Sequence, residues 1–290
     1  MSAIAYITDP KLLEYHRINV NKEMNFWRIS SKTTFSSFDV GDLVFFLSKD
    51  KDLIKDKEKG VVGFGIVSDM YTLSPQEMWD KFSYGNGYVD YESFIDALTK
   101  ASKDHKLPKK ISSFYLKNVV FFQAPIYLSE CGLDVSKNIE SYIYIKPEEI
   151  VIKILEFAKN AIDIWSSADG LDDMIADIQL KYAIKLAHND IGDFVFDEKT
   201  NRVAERFMKK VQNANPVCEF VPGSKLDLCL VKNKDVLIVL YCGKGVDKRL
   251  LIGHAELYKR YIMKYYRNAY KLYFKTANRN SEIDDLLNRY

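Results

Sequence analysis

Between residues 25 and 87 the sequence alternates large aromatic side chains with short segments that contain glycine. These positions are Asn25-Phe26-Trp27-Arg28, Phe45-Phe46, Gly63-Phe64-Gly65, Trp79-Asp80-Lys81-Phe82 and Asn86-Gly87. Glycine inside a strand permits a bulge or the close approach of another backbone. Rings that alternate with such strands predict a small barrel whose aromatic walls leave room for a flat ligand such as a base.

The length and composition of the chain indicate two folded domains. Its 290 residues exceed one average domain and suit two domains of about 100–200 residues each. Hydrophobic residues make up 47% and aromatic residues 13% of the chain, which supports packed cores and excludes an intrinsically disordered protein. The formal net charge of +2 is too small to indicate a nucleic-acid ligand. Any such indication has to come from local clusters of charge.

Cysteine and histidine usage gives little sign of a metal site. The cysteines at 131, 218, 229 and 242 form no C-x-x-C pair, which argues against structural zinc, and we expect them to be reduced. The histidines at 16, 105, 188 and 254 show no pairing typical of acid–base catalysis. Neither a basic leader nor an apolar run of about 20 residues is present, so we expect a cytoplasmic protein without membrane contact.

Local signals place a boundary at Pro147, between a strand-rich part (1–146) and a part with long helical patterns (147–290). Ser74-Pro75 followed by Glu77 predicts a helix start. The predicted strands of the first part are 3–6, 43–47, 61–67, 113–122 and 141–145. The second part has predicted helices 150–161, 171–187, 201–213 and 253–270, and predicted strands 217–221, 225–231, 235–242 and 271–275.

The order and spacing of the rings and glycines resemble the PUA-like superfamily, which includes the EVE and ASCH domains. The resemblance is closest to the PUA-like N-terminal domain of some modification-dependent DNA endonucleases. It implies that residues 1–146 form a PUA-like β-barrel with short helices that reads a modified base. A flipped base would stack on rings, at roughly 1–3 kcal/mol per base. The implied base-binding residues are Trp27, Asn25, Arg28, Phe46, Trp79 and Asn86, with Phe26 and Phe82 as further rings.

Most of these rings have a structural alternative. Trp79 and Phe82 lie three residues apart on the predicted helix, a spacing more typical of a core face. Phe45 and Phe46 point to opposite faces of a strand, so only one of them can face a pocket. Trp27 lies in a predicted loop and is the best single candidate for a pocket residue.

The element order of residues 198–275 resembles the PD-(D/E)XK nuclease core. This resemblance implies a restriction-endonuclease-like mixed sheet flanked by helices, in which an Asp and a Glu-x-Lys segment hold Mg²⁺ or Mn²⁺ for phosphodiester hydrolysis. Asp227 has the place of the Asp, and Lys244 matches the Lys. Cys242 stands where Glu is expected, and a neutral thiol is a poor Mg²⁺ ligand.

Three acids are alternatives for the missing ligand. Glu256 lies on the following predicted helix, Glu219 on the strand before Asp227, and Glu205 on the preceding helix. The implied catalytic set is therefore Asp227, Lys244, Glu256, Glu205 and Glu219, with Asp227 and Glu256 as metal ligands. The alternative is a domain that keeps the nuclease shape, has lost the chemistry, and only binds or dimerises.

A basic stretch follows this motif. Residues 244–279 contain ten Lys or Arg against two acids, with tyrosines between them. Arg260, Lys264, Arg267 and Lys271 recur at steps of four, three and four, which predicts one helical face. A basic face with rings is typical of contact with a phosphate backbone, and the alternative is a solvated face beside a tyrosine-rich core.

Together these patterns predict a two-domain α+β or α/β protein that acts as a modification-dependent restriction endonuclease. It would flip and read a modified base and cleave DNA by Mg²⁺-dependent hydrolysis, as a homodimer. Two alternatives stay open: a protein that binds modified DNA without catalysis through a degenerate nuclease fold, and a protein directed to RNA.

Overall fold

The computed structural model describes residues 2–29, 35, 38, 40–49, 54–55, 58–135, 139, 141–161, 171–193, 198–232, 235–243, 246–266 and 270–289. The chain divides into two compact units, an N-terminal unit (Met1–Ile175) and a C-terminal unit (Ala176–Tyr290). This division is later than the boundary predicted at residue 146. The reason is that the helix Glu148–Ala161 packs against the long strand Ile111–Ile126 of the N-terminal unit.

The N-terminal unit is built around one mixed sheet. Its strands are β1 (Ala3–Thr8), β2 (Met24–Arg28), β3 (Leu43–Ser48), β4 (Ile54–Lys55), β5 (Glu58–Lys59), β6 (Val61–Leu73), β7 (Ile111–Ile126) and β8 (Tyr142–Tyr144). Its helices are α1 (Pro10–Ile18), α2 (Pro75–Phe82), α3 (Tyr91–Ala101) and α4 (Glu148–Ala161), with a 3₁₀ turn at Ser83–Asn86.

Six of these strands pair in the order β2-β7-β6-β3-β1-β8, while β4 and β5 form a separate hairpin. Among these described pairings, that of β1 with β3 is parallel and the others are antiparallel. Among the described strands no pairing joins β2 to β8, so the closed barrel that the sequence predicts is not seen. All six residues of β3 are buried, because side chains on both faces of this strand are covered.

The glycines of β6 allow the close approach that their position predicts. A Cβ at Gly63 would lie 2.3 Å from the carbonyl oxygen of Val120 on β7 and 3.1 Å from the ring of Phe46. The β6–β7 register shifts between Val61 and Gly63, as expected for a bulge. The helix start at Ser74 is also as predicted, because Ser74 and Glu77 form a reciprocal capping box.

The C-terminal unit is a four-stranded sheet with helices. Its helices are α5 (Leu171–Ile191), which begins before the unit boundary, α6 (Glu198–Ala214), α7 (Lys248–Tyr266) and α8 (Ser281–Leu287). The strands are β9 (Glu219–Phe220), β10 (Leu228–Lys232), β11 (Asp235–Leu240) and β12 (Lys271–Thr276), paired in the order β12-β11-β10-β9. Strands β9 to β11 are antiparallel, and β12 is parallel to β11 after the crossover helix α7.

Two cores cover the two faces of this sheet. Val236, Ile238 and Leu240 pack with buried residues of α5 and α7. Val239 and Tyr241, which alternate with them along the chain, pack with α6 residues such as Met208. The register pairs Leu228 with Val239. Asp227, just before β10, and Tyr241, just after β11, therefore lie at the same end of the sheet. Among the described helices, none is long and apolar enough to cross a membrane.

Candidate functional site

An open cavity of about 620 Å³ lies in the N-terminal unit between α1, α3 and the segment that follows the 3₁₀ turn. Three lysines and two tyrosines line it: Lys11, Lys49, Lys100, Tyr15 and Tyr88. Two carboxylates, those of Asp9 and Asp96, also reach its wall. The lining therefore combines cations with aromatic rings. These residues belong to no single sequence motif.

Local structure explains how these side chains converge. Asp9 caps α1 by accepting a hydrogen bond from the backbone nitrogen of Lys11 at 2.9 Å. Lys11 and Tyr15 then lie one turn apart on the same face of α1. Gly87 has a φ of +84°, and a Cβ there would lie 3.0 Å from the side chain of Leu12. Glycine thus brings the cavity wall against α1.

Tyr88 places an unusual polar group at this cavity. Its ring packs against Trp27 and Phe94, with centroid distances of 6.2 and 5.9 Å. Its hydroxyl is buried and has no hydrogen-bond partner among the described residues. Burial, and secondarily the charge of Asp9, raise the pKa of Tyr88, so the hydroxyl keeps its proton. A buried hydroxyl without a partner costs about 1–3 kcal/mol.

The predicted base contacts Asn25 and Asn86 hold the fold together instead. Both are fully buried, and Asn25 Nδ2 donates to Asn86 Oδ1 at 2.8 Å. Asn86 Nδ2 donates to the carbonyl of Ser83 at 2.9 Å, and Trp27 Nε1 donates to the carbonyl of Asn86 at 3.2 Å. The structure therefore brings Asn25, Trp27 and Asn86 together. Their hydrogen bonds hold the 3₁₀ turn in place behind the cavity wall.

The other predicted base-binding rings lie in packed clusters. Phe46 is fully buried and stacks near Phe26 at 5.9 Å, so a base cannot reach it in this arrangement. Trp79 is partly buried and its ring lies 5.7 Å from that of Phe94. This placement agrees with the core alternative for Trp79 and not with an aromatic cage.

The Arg28 side chain also packs within the N-terminal unit. Its guanidinium carbon lies 4.4 Å from the ring centroid of Phe35 and 4.9 Å from that of Phe114. Burial lowers the pKa of Arg28, and the nearby Tyr6 hydroxyl opposes that shift. The predicted contact of Arg28 with a base or phosphate is therefore replaced by cation–π packing inside the unit.

In the C-terminal unit, Asp227 lies at the centre of a buried polar cluster. It immediately precedes β10 and is fully buried. Its Oδ2 accepts hydrogen bonds from His254 Nε2 at 2.6 Å and from the Tyr258 hydroxyl at 2.8 Å. His254 and Tyr258 are one turn apart on α7, so a single helical face presents both donors to the carboxylate.

His188, near the end of α5, lies between two carboxylates. Its Nδ1 is 3.6 Å from Asp227 Oδ2, and its Nε2 is 3.8 Å from Asp193 Oδ1. Asp193 also accepts hydrogen bonds from the Ser224 hydroxyl and, at 2.9 Å, from the backbone nitrogen of Lys225. Ser224 Oγ in turn accepts from the backbone nitrogen of Asp227 at 2.8 Å. The turn before β10 and the end of α5 are thus tied into one network.

The charges of this cluster follow from its contacts. Burial raises the pKa of Asp227, but the neighbouring His188 and the hydrogen bonds from His254 and Tyr258 outweigh burial and hold that pKa below its usual range. Burial lowers the pKa of His188, but contact with Asp227 reverses the direction and raises it. Burial and the Asp227 charge both raise the pKa of Tyr258. Asp227 is therefore an ionised carboxylate at neutral pH.

The acids predicted to join Asp227 lie elsewhere. Glu256 follows His254 by two residues, which turns it away from the helix face that carries His254 and Tyr258. Its carboxylate pairs instead with Lys259 at 3.2 Å. The predicted metal pair of Asp227 and Glu256 is not assembled in this structure.

The remaining predicted catalytic residues are similarly separated. Glu205 pairs with Lys225 at 3.3 Å, and Glu219 pairs with Lys181 at 3.1 Å. Cys242 is buried, and burial raises the pKa of its thiol. Lys244 lies outside the described residues, so its predicted role stays a prediction.

The predicted basic stripe is not one continuous helical face. Arg260 and Lys264 are exposed on α7, which ends at Tyr266. Arg267 lies outside the described residues, and Lys271 is the first residue of β12. Tyr258, which was one of the interleaved tyrosines, is fully buried at Asp227.

Comparisons with known proteins add little to this picture. No protein-family model and no curated protein matches the chain. Among solved structures, the chain is similar to ASCH from Zymomonas mobilis at 14% identity and a TM-score of 0.39, over 53% of this chain and 94% of that chain. A mutant of the same protein matches at 11% identity and the same TM-score, over 54% and 98% of the two chains. Similarity at this level supports no functional conclusion.

Proposed function

We propose that the protein binds nucleic acid through the cavity of the N-terminal unit. The observation that carries this proposal is the set of three lysines and two tyrosines around about 620 Å³ of open space. Ligand pockets span roughly 300–1,000 Å³, so the cavity has room for a base and its sugar. Lysines neutralise phosphates and release counterions, while tyrosine rings stack on bases.

Each lining group has a role in this proposal. A base enters the cavity and stacks on Tyr15, and the Tyr88 side chain forms part of the wall beside it. Lys11, Lys49 and Lys100 contact the flanking phosphates. The carboxylate of Asp96 accepts a hydrogen bond from an exocyclic amino group, as acids do from cytosine. The base we favour is a modified base in DNA, and RNA is the alternative.

Binding is tested by removing the lysine charges. The triple variant Lys11→Gln, Lys49→Gln, Lys100→Gln is expected to reduce the slope of log K against log salt by about 2, since each lost phosphate contact on a single strand removes about 0.7. Fluorescence anisotropy titrations at several salt concentrations measure that slope, with single strands and with plain and modified duplexes of DNA and RNA.

The matched control changes three exposed lysines of the loop after α3, Lys103, Lys106 and Lys109, to glutamine. It removes the same charge and is expected to leave the slope nearly unchanged. Equal slopes for both triple variants would show that binding does not use the cavity.

Cleavage of the bound strand by the C-terminal unit is the finer part of the proposal. The order α6-β9-β10-β11-α7-β12 supports it, as does the position of Asp227 at the sheet end near residues 241–243. The separation of Glu205, Glu219 and Glu256 from Asp227 favours the alternative, a protein that binds without cutting. Cutting both strands would call for two copies of the chain.

A nuclease assay decides between these two functions. Duplexes with cytosine, methylcytosine, hydroxymethylcytosine or methyladenine are incubated with the protein and Mg²⁺ or Mn²⁺. The endonuclease proposal expects cutting of one modified duplex, abolished in Lys244→Ala and retained in Lys234→Ala, a lysine ten residues earlier in the sequence and outside the motif. Tight binding without cutting would support the non-catalytic alternative.

A further inference from the structure

We propose that His188, Asp193 and Asp227 form a binding site for a divalent transition-metal ion, with Zn²⁺ the best match to the donors. Each residue offers one ligand atom, and these atoms all lie within 4.8 Å of one another. The site belongs to the C-terminal unit alone, so the proposal does not depend on nucleic-acid binding by the N-terminal cavity.

The orphaned oxygen of Asp227 is the strongest sign of a ligand. Oδ2 is used by His254 and Tyr258, but Oδ1 is buried and has no hydrogen-bond partner among the described residues. A buried carboxylate oxygen without a donor is costly, and a cation is the group that would satisfy it. The two hydrogen-bond donors on Oδ2 hold the carboxylate in one orientation. In known metal sites, groups outside the ligand set orient the ligands in the same way.

The distances around His188 also favour an ion over direct contacts. Its two ring nitrogens lie 3.6 Å from Asp227 Oδ2 and 3.8 Å from Asp193 Oδ1. Both separations exceed a good N–H···O hydrogen bond, which is about 2.7–3.2 Å. His188 Nδ1 also lies 3.3 Å from the Tyr258 hydroxyl. A shared ion would be bound by one ring nitrogen, on the side of the carboxylate that this nitrogen faces.

The donor set selects the kind of metal. One imidazole nitrogen and two carboxylate oxygens are typical ligands of Zn²⁺ and acceptable to Mn²⁺. Mg²⁺ prefers oxygen ligands and keeps several waters, which a fully buried carboxylate and a buried histidine do not favour. The side chain of Asp193 is 26% exposed, in contrast to 1% for Asp227, so it provides the route by which an ion and a water ligand enter.

Metal binding is tested on the whole chain after treatment with EDTA. Calorimetric titration is expected to show one Zn²⁺ per chain and weaker Mn²⁺ binding, with no Mg²⁺ binding of comparable affinity. Zn²⁺ is also expected to raise Tm, because an ion that binds only the folded state stabilises it. Asp193→Asn, which retains a polar side chain at Ser224, is expected to weaken Zn²⁺ binding at least about tenfold.

Two further variants make the test specific. His188→Gln is expected to remove the same binding event. Asp190→Asn changes an exposed acid at the end of the same helix and is expected to bind Zn²⁺ like the unmodified chain. If no ion binds, if Mg²⁺ binds as tightly as Zn²⁺, or if Asp193→Asn and Asp190→Asn bind equally well, the proposal is overturned.

Discussion

Replacing Asp227 with alanine is expected to lower the free energy of unfolding of the C-terminal unit by about 3–5 kcal/mol, the cost of removing one partner from a buried ionic cluster. The reason is that three groups lose their shared acceptor. His254 and Tyr258 donate to Oδ2, and His188 lies beside it. All three side chains are buried, so water cannot replace the lost contacts without opening the core.

Urea denaturation followed by circular dichroism, in the presence of EDTA, measures this effect. Tyr258→Phe removes one donor and leaves the carboxylate, so it is expected to cost about 1 kcal/mol. Glu219→Gln, whose side chain is 67% exposed, is expected to change stability by less than about 0.5 kcal/mol. If Asp227→Ala proved as stable as Glu219→Gln, the cluster would not stabilise the unit as we infer.

This result bears on how activity data are interpreted. A variant that lacks Asp227 and shows no cleavage would be consistent with a lost catalytic acid or with a loosened core. Lys244→Ala leaves Asp227 and its three partners in place, so its activity is to be interpreted together with the same urea denaturation.

The sequence predicted the elements well where the signal is local. The Ser74 capping box, the close approach at Gly63 and the strand-helix order of the C-terminal unit depend on neighbouring residues, and each is present in the structure. Helix caps and glycine positions act within a few residues, so a single sequence carries them.

The side chains of the two sites could not be predicted from spacing because the fold brings them from distant positions. Asn25 and Asn86 are 61 residues apart, and His188 and Tyr258 are 70 apart. The sequence showed no histidine pairing typical of acid–base catalysis, and for the same reason it did not reveal that His188 and His254 both lie beside Asp227. The spacing of His254 and Tyr258 on one helical face was the only local sign.

Two predictions failed because a pattern was extended past its limits. The step from Arg267 to Lys271 assumed a helix, but α7 ends at Tyr266 and Lys271 begins β12. Phe46 was included among the base-binding residues implied by the resemblance, with the condition that only one of Phe45 and Phe46 faces a pocket. Strand alternation separates two faces but does not say that either is exposed. Both faces of β3 are covered, so Phe46 is core.

Lowering the pH from about 7 to about 4 is expected to cost the N-terminal unit up to about 3 kcal/mol through His16 alone. Burial lowers the pKa of His16 from 6.5 to about 4, and the backbone of Gly85 opposes this only in part. The folded chain therefore binds fewer protons at His16 than the unfolded chain between these values. Stability from this group is fully present above pH 6.5 and is lost as the pH falls through about 4.

The surroundings of His16 explain its preference for the neutral form. The side chain is fully buried, and Asn21 Nδ2 lies 2.9 Å from its Nδ1, which makes that nitrogen the acceptor. A Cβ at Gly87 would lie 3.3 Å from its Nε2, so the ring also touches the cavity wall. No carboxylate is recorded among these described contacts to stabilise an imidazolium.

Urea denaturation at pH 7 and pH 4.5, followed by tryptophan fluorescence, tests this origin of acid sensitivity. His16→Gln cannot take up a proton, so the loss of unfolding free energy between the two pH values is expected to be about 2–3 kcal/mol smaller than in the unmodified chain. His105→Asn, at an exposed position with a φ of +52°, is expected to keep the full loss. An unchanged loss in His16→Gln would assign the acid sensitivity to other groups.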